Sequence, residues 1–164
     1  MLMRSKAALA AVTAMTFVGL AHAAPPAADF VAKAGASDLY EQTSSKLVLA
    51  STHDAGVRRF ANEMIKDHTK STQMVKTAAL HSGLHPKPPV LDAKQKALVA
   101  DLRKATGANR DHLYLDQQKQ AHAEALSLMQ GYAATGSDAA LRKAAGDIAP
   151  VVQHHIEMLN SMSH

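Results

Sequence analysis

Four ionisable residues lie where apolar residues are expected, one on each of four predicted helices. Apolar side chains recur every three or four residues along each helix, which places them on the face that packs into a core. Glu41, His68, His122 and His155 fall on these stripes, so the four side chains are expected to meet near the middle of a helical bundle. One carboxylate and three imidazoles bind a first-row divalent metal ion and leave coordination positions for water. The pattern predicts a site for Zn, Fe, Mn or Cu.

The same four residues have a second interpretation that needs no metal. A buried carboxylate is costly unless it is paired, and hydrogen bonds from three imidazoles meet that requirement on their own. A single histidine on an apolar stripe is more often a hydrogen-bonded core residue than a ligand. In this interpretation the protein is a metal-free structural or interaction module, and its buried Glu and His residues fix the packing of the helices.

Three further residues are candidates for orienting the histidine rings. Asp67 is adjacent to His68, and Asp111 and Tyr114 precede His122 on the same predicted helix. Such side chains commonly hold the second nitrogen of a metal-bound imidazole. The alternative for Asp67 and Asp111 is a hydrated position at the edge of the stripe.

The spacing argues against the di-metal site of ferritin-like oxidases. That site uses Glu-x-x-His on two helices. The residues three positions before His68, His122 and His155 are Ile65, Lys119 and Val152. Because the Glu-x-x-His pairs are missing, oxidase or peroxidase chemistry is the least favoured interpretation. The sequence also has no phosphate-binding glycine loop and no nucleophile motif, so the pattern favours a protein that is not an enzyme. His81 and His85 flank a proline-rich loop, where a hydrated surface is favoured over a Cu or Ni site.

The segments that must position these residues read as four helices. The first is expected from Asp29 to about residue 51, and the second from the capping residues at 51–54 to about His81. After the proline-rich segment 82–89, a capping box at Asp92–Gln95 opens a third helix to about residue 134, with a bend at Gly107. A fourth helix, capped by Ser137 and kinked at Pro150, runs to about residue 162. Short connections predict an all-α, up-down-up-down four-helix bundle.

Composition supports this fold class and adds an export signal. Alanine, the strongest helix former, is the most frequent residue, aromatic residues make up only 4%, and cysteine is absent. Arg4 and Lys6 precede an apolar stretch of about 14 residues, too short for a membrane span of about 20, and Ala21-His22-Ala23 resembles a cleavage site. Residues 1–23 therefore read as a signal peptide, 24–28 as an extended arm and 29–162 as the helical domain, which predicts a periplasmic protein without a transmembrane segment.

The charge of the chain does not favour binding to nucleic acid. The formal net charge is +4, and it falls by two when Arg4 and Lys6 leave with the predicted signal peptide. The remaining basic residues are scattered, whereas nucleic-acid binding needs them concentrated on one face.

The chain resembles a bacterial exported family called domain of unknown function 4142, whose members are often labelled outer-membrane proteins. The resemblance covers about residues 27–162. Its markers are Asp29-Phe30 with Glu41, Phe60-Ala61-x-x-Met64-x-x-Asp67-His68, Gly107 with Asp111-x-x-Tyr114 and His122, and Pro150 with His155. The sequence departs from the family at Arg110, where Phe is usual. The resemblance implies export and a ferritin-like four-helix fold, and it supplies no activity.

These observations give one leading hypothesis. The protein is expected to be a periplasmic ferritin-like bundle that binds a divalent metal through Glu41, His68, His122 and His155. Its expected role is metal handling or protection of the envelope under stress, without catalytic turnover. The metal-free structural module is the alternative.

Overall fold

The computed structural model describes residues 24–162, and this part of the chain forms five α-helices without a β-strand. The helices are α1 (Ala27–Leu49), α2 (Ala55–His81), α3 (Ala93–Lys104), α4 (Gly107–Thr135) and α5 (Ala139–Ser161). The predicted all-helical class is confirmed. Because α1 begins at Ala27, the extended arm ends two residues earlier than expected. The predicted signal peptide, 1–23, lies outside the described residues.

The third predicted helix is in fact two helices, which is why the structure has five helices and not four. Helix α3 ends at Lys104, and the next two residues, Ala105 and Thr106, are extended, with ψ of 151° and 156°. Gly107 then begins α4 with φ of +53°, a left-handed conformation that favours glycine. The break replaces the bend predicted at Gly107.

Acidic side chains cap three of the helices at their N-termini. Asp54 accepts a hydrogen bond from a backbone N–H in the first turn of α2, and Asp92 and Gln95 form the predicted capping box of α3. Helix α5 is capped by Asp138, one residue after the expected Ser137. Pro150 lies inside α5, as the sequence predicts.

The four long helices pack as a closed ring. Helix α1 packs chiefly on α2, and α4 on α5, while contacts between α2 and α5 and between α1 and α4 complete the ring. The short helix α3 lies mainly against α1. None of the helices in residues 24–162 has both the length and the hydropathy needed to cross a membrane.

The core consists of two apolar clusters separated by a polar layer. The first cluster contains Phe30, Ala34, Val75, Ala79, Ala125, Met129, Tyr132, Leu141, Ala145, Ile148 and Val152. The second contains Val48, Val57, Phe60, Ala61, Met64, Leu102, Tyr114 and Leu159. On each long helix, buried polar residues fall in sequence between the two clusters, and this polar layer contains Asp38, Glu41, Ser44, Ser45, His68, Ser71, Gln117, Gln118, His122 and His155.

Arg110 links the start of α4 to the turn between α1 and α2. Its guanidinium donates hydrogen bonds to Ser51 Oγ at 2.7 Å and to the Ala105 carbonyl at 2.8 Å. The neighbouring Asp111 accepts a bond of 2.7 Å from Thr52 Oγ1 in the same turn. The residue that departs from the family pattern therefore has a structural role at one end of the bundle.

Candidate metal centre

Three histidines from three helices meet in the polar layer. The rings of His68 on α2, His122 on α4 and His155 on α5 have pairwise centroid separations of 5.3 to 5.5 Å. At most 3% of each residue is exposed. Each offers one nitrogen such that the three atoms lie within 4.8 Å of one another. We call His68, His122 and His155 the histidine cluster.

His68 is held by a carboxylate on the neighbouring helix. Its Nδ1 donates a 2.8 Å hydrogen bond to Asp38 Oδ1, and Thr72 Oγ1 donates to the other oxygen of Asp38 at 3.0 Å. In the neutral ring, Nε2 then carries the lone pair, and it has no hydrogen-bond partner within residues 24–162. Burial lowers the pKa of His68, but the hydrogen bond to Asp38 and nearby negative charges outweigh burial, so the pKa is raised.

His122 is held by its own helix. Its Nδ1 donates to the backbone carbonyl of Gln118 at 2.9 Å, so that Nε2 carries the lone pair. This Nε2 has no hydrogen-bond partner in the described part of the chain. Burial, followed by repulsion from His68 and His155, lowers the pKa of His122 to about 3. The ring is therefore neutral at pH 7.

His155 forms its hydrogen bond through Nε2, whereas His68 and His122 form theirs through Nδ1. Its Nε2 donates to Asp67 Oδ2 on α2 at 3.2 Å, which leaves Nδ1 unbonded among the described residues. Burial and the charge of His68 outweigh the hydrogen bond to Asp67, and they lower the pKa of His155 to about 4. This ring is also neutral at pH 7.

The arrangement matches the chemical requirements of a metal site. Each histidine has one nitrogen fixed by a carboxylate or carbonyl oxygen, which selects the tautomer, and metal-bound histidines are held in the same way. The other nitrogen of each, His68 Nε2, His122 Nε2 and His155 Nδ1, is called its free nitrogen below. At metal–nitrogen distances of about 2.1 Å, ligand nitrogens are at most about 4.2 Å apart. Because one nitrogen of each ring already lies within 4.8 Å of the others, the rings would need to close by at least about 0.6 Å around an ion.

Glu41 lies beside the histidine cluster, but it is not among the residues whose ligand atoms converge there. It is 1% exposed, its Oε1 lies 3.8 Å from His122 Nδ1, and its Oε2 has no hydrogen-bond partner in residues 24–162. Burial raises the pKa of Glu41 to about 7, against the opposing effects of His68 and of a hydrogen bond from Gln118. The structure thus brings the predicted carboxylate next to His122, on the side of the nitrogen that Gln118 already occupies.

The residues expected to orient the rings have different positions. Asp67 contacts His155 and not its sequence neighbour His68, which Asp38 holds. Asp111 is bonded to Thr52, and the Tyr114 hydroxyl shares a 2.8 Å hydrogen bond with Ser45 Oγ. Neither Asp111 nor Tyr114 holds a ring nitrogen of His122, because the backbone carbonyl of Gln118 occupies that position.

Asp38 is the site residue that the sequence analysis missed. It is 2% exposed and lies four residues after Ala34 and three before Glu41. This spacing fits the buried face of α1, and the position of Ser37 fits the same face. The sequence does contain a signal for Asp38, because an acidic residue at helical spacing from both Ala34 and Glu41 is expected on the buried face.

The fold and the site define an all-helical protein whose long helices enclose three converging histidines. The chain belongs to the family described as Domain of unknown function (DUF4142), whose model matches residues 13–162. Its fold is similar to the crystal structure of a DUF305 fragment from Deinococcus radiodurans, with a TM-score of 0.71 over 84% of this chain and 97% of that chain. At 14% sequence identity this similarity shows the fold alone. No curated protein matches the chain.

Proposed function

We propose that this protein is an exported, ferritin-like helical bundle of the bacterial envelope that holds one divalent transition-metal ion. His68, His122 and His155 supply the ligands, and Glu41 stands beside them as a candidate fourth group. The proposed role is metal handling or protection of the envelope under stress, without turnover of a substrate. The observation that carries the proposal is the convergence of three buried histidines, each of which has one ring nitrogen without a hydrogen-bond partner within residues 24–162.

The energetics of these nitrogens favour a metal ion over a metal-free core. A buried polar atom without a partner costs about 1–3 kcal/mol. The polar layer contains six such atoms among the described residues, namely the free nitrogens of the three histidines, Oε2 of Glu41, Oγ of Ser71 and Oε1 of Gln118. A metal-free packing role explains the three nitrogens bonded to Asp38, Gln118 and Asp67, but it leaves the six unpartnered atoms unexplained. A bound cation would satisfy the nitrogens.

The charges around the histidine cluster also suit a dication. Asp38 and Asp67 stand directly behind two of the rings, with Glu41 beside the third. Carboxylates in these positions offset the positive charge of an ion and increase the basicity of the imidazole ligands. Three imidazoles suit Zn, Fe and Cu ions better than Mn, which favours oxygen ligands.

The proposal includes export to the periplasm, because residues 1–23 have the sequence pattern of a signal peptide. The basic head, the short apolar stretch and the Ala21-His22-Ala23 sequence are typical of a cleaved signal peptide. The proposed location is the periplasm, where a metal-binding bundle would encounter ions before they reach the cytoplasm.

Metal titration of matched histidine variants tests the proposed function. The protein is expressed with its own leader, purified without a histidine tag, stripped with chelator and titrated with Zn²⁺ and Cu²⁺ by calorimetry. One tight site per chain is expected, and His155→Gln should abolish it. His154→Gln, which changes the exposed neighbour of His155, should leave it intact. Equal binding by the two variants, with native helicity confirmed by circular dichroism, would support the metal-free module instead.

A further inference from the structure

A surface cavity borders Asp67, the side chain that holds His155. It lies between α2 and α5 and has a volume of about 320 Å³. Asp67 and Ser71 on α2, and Asp147, Ile148 and Val151 on α5, are among the residues that line it. Asp67 is also the residue whose Oδ2 holds His155 Nε2 at 3.2 Å. One side chain therefore separates the cavity from His155.

Asp67 differs from the other groups that hold the histidine rings. Asp38 is buried, with only 3% of its side chain exposed, whereas 18% of the Asp67 side chain is exposed. A second cavity lies between α1, α3 and α4. Neither cavity is lined by a histidine of the cluster, but the first is lined by Asp67, whereas the second is lined by none of the groups that hold the rings, namely Asp38, Asp67 and Gln118. The cavity between α2 and α5 is thus the better connected of the two to the candidate metal centre.

The lining of this cavity suits a hydrated cation in transit. Asp67 and Asp147 contribute carboxylates, and Asp147 has its partner, Lys143, on the same helix at 2.7 Å. Ser71 is 6% exposed, and its Oγ has no hydrogen-bond partner among the described residues, so it offers a further oxygen. Lys70 also lines the cavity and contributes a positive charge. Divalent cations accept carboxylate and hydroxyl oxygens as they lose water.

We infer that the cavity between α2 and α5 is the access route by which a divalent metal ion reaches the histidine cluster, entering beside the Asp67 side chain. This inference rests on the proposed function, because it needs a metal site to serve. It adds a direction from which the ion approaches the candidate metal centre. Val151, which is 39% exposed at the cavity, is the residue at which the route can be narrowed without altering a ligand.

Rapid-mixing kinetics with Co²⁺ tests the access route, because Co²⁺ bound to histidine absorbs visible light. The Val151→Trp variant should slow uptake of Co²⁺, and its release to excess chelator, by the same factor of about ten. The dissociation constant should then stay unchanged, because an obstruction in a route affects both directions equally. Val90→Trp is the matched control, since Val90 is 72% exposed and lies in the loop before α3, away from the cavity. It should take up Co²⁺ at the wild-type rate.

A second variant keeps the test decisive if the new tryptophan disturbs folding. Asp147→Lys reverses a charge on a side chain that is 49% exposed and touches no histidine of the cluster. It should slow uptake at low salt, and added salt should remove most of that effect, because exposed charges are screened. Wild-type uptake rates in folded Val151→Trp and in Asp147→Lys would overturn the access route while the proposed function stands. Absence of Co²⁺ binding in the wild-type protein would overturn both.

Discussion

Asp38 on α1 and His68 on α2 form a buried pair, with 2.8 Å between Asp38 Oδ1 and His68 Nδ1. The pair joins two helices that are consecutive in the chain, and it fixes which nitrogen of His68 points to the other histidines. Asp67 does the same for His155 across the α2–α5 interface. Two of the three rings are therefore positioned by carboxylates from other helices, so helix packing and the geometry of the site depend on each other.

Replacement of Asp38 by Asn should weaken metal binding without removing it. The variant keeps the shape of the side chain but loses the charge that supports the His68 ligand, and such changes cost about 10- to 100-fold in metal affinity. Calorimetric titration with Zn²⁺ measures the change. Asp111→Asn is the control, because Asp111 is bonded to Thr52 at the end of the bundle. Equal affinities of the Asp38 and Asp111 variants would show that Asp38 does not support a ligand.

Metal should stabilise the folded protein. A ligand that binds only the native state at 100 times its dissociation constant adds about 3 kcal/mol to the free energy of unfolding. Thermal unfolding with Zn²⁺ should therefore give a higher Tm than unfolding with chelator. The increase should persist in His154→Gln and vanish in His155→Gln. A Tm that is the same with Zn²⁺ and with chelator in the wild-type protein would favour the metal-free module.

The metal-free protein should lose stability on acidification, in part because of His122. Its pKa is lowered to about 3 in the folded state, so between about pH 6.5 and pH 3 the unfolded state binds more protons at this residue. Its contribution to the free energy of unfolding therefore rises with pH across this window. Between pH 7 and pH 5, the free energy of unfolding should fall by about 2 kcal/mol less in His122→Gln than in the wild type. Urea unfolding at the two pH values measures the difference. An equal fall in the free energy of unfolding in both proteins would contradict a lowered pKa for His122 in the folded state.

Glu41 should have the opposite pH dependence. Its pKa is raised to about 7, so the folded state binds more protons than the unfolded state between about pH 4.5 and pH 7, and its contribution to stability falls as pH rises. Glu41→Gln removes this penalty, which amounts to at most about 3 kcal/mol at pH 8. Urea unfolding should show the metal-free variant gaining stability over the wild type from pH 5 to pH 8. A constant difference between the two proteins would show that Glu41 is not a buried titrating group.

The sequence was sufficient to place the histidines together because helical phase is a local property. His68, His122 and His155 each occupy a buried position between apolar residues of the same stripe, and each is buried in the structure. Asp67 shows the limit of such reasoning. Consecutive residues on a helix are rotated by roughly 100°, so the neighbour of His68 in the sequence faces α5 and contacts His155 instead.

The break between α3 and α4 and the role of Asp38 were beyond what the pattern could decide. No proline lies near Ala105 and Thr106, and Gly107 is the only helix-disfavouring residue that follows them. The sequence therefore does not distinguish a bend in one helix from a break between two helices. For Asp38 the difficulty was the width of the stripe, since Ser37 and Asp38 both fit the buried face of α1. The packing of α2 decides between them, because it brings His68 to Asp38.

The position of a bound metal ion in a crystal shows whether the three buried histidines are its ligands. Crystals of protein purified without a histidine tag, grown with one equivalent of Zn²⁺, would be measured on both sides of the zinc absorption edge. We expect one anomalous peak in the polar layer, about 2.1 Å from His68 Nε2, His122 Nε2 and His155 Nδ1. Peaks confined to surface histidines such as His81 or His85, with none among the three buried rings, would contradict it.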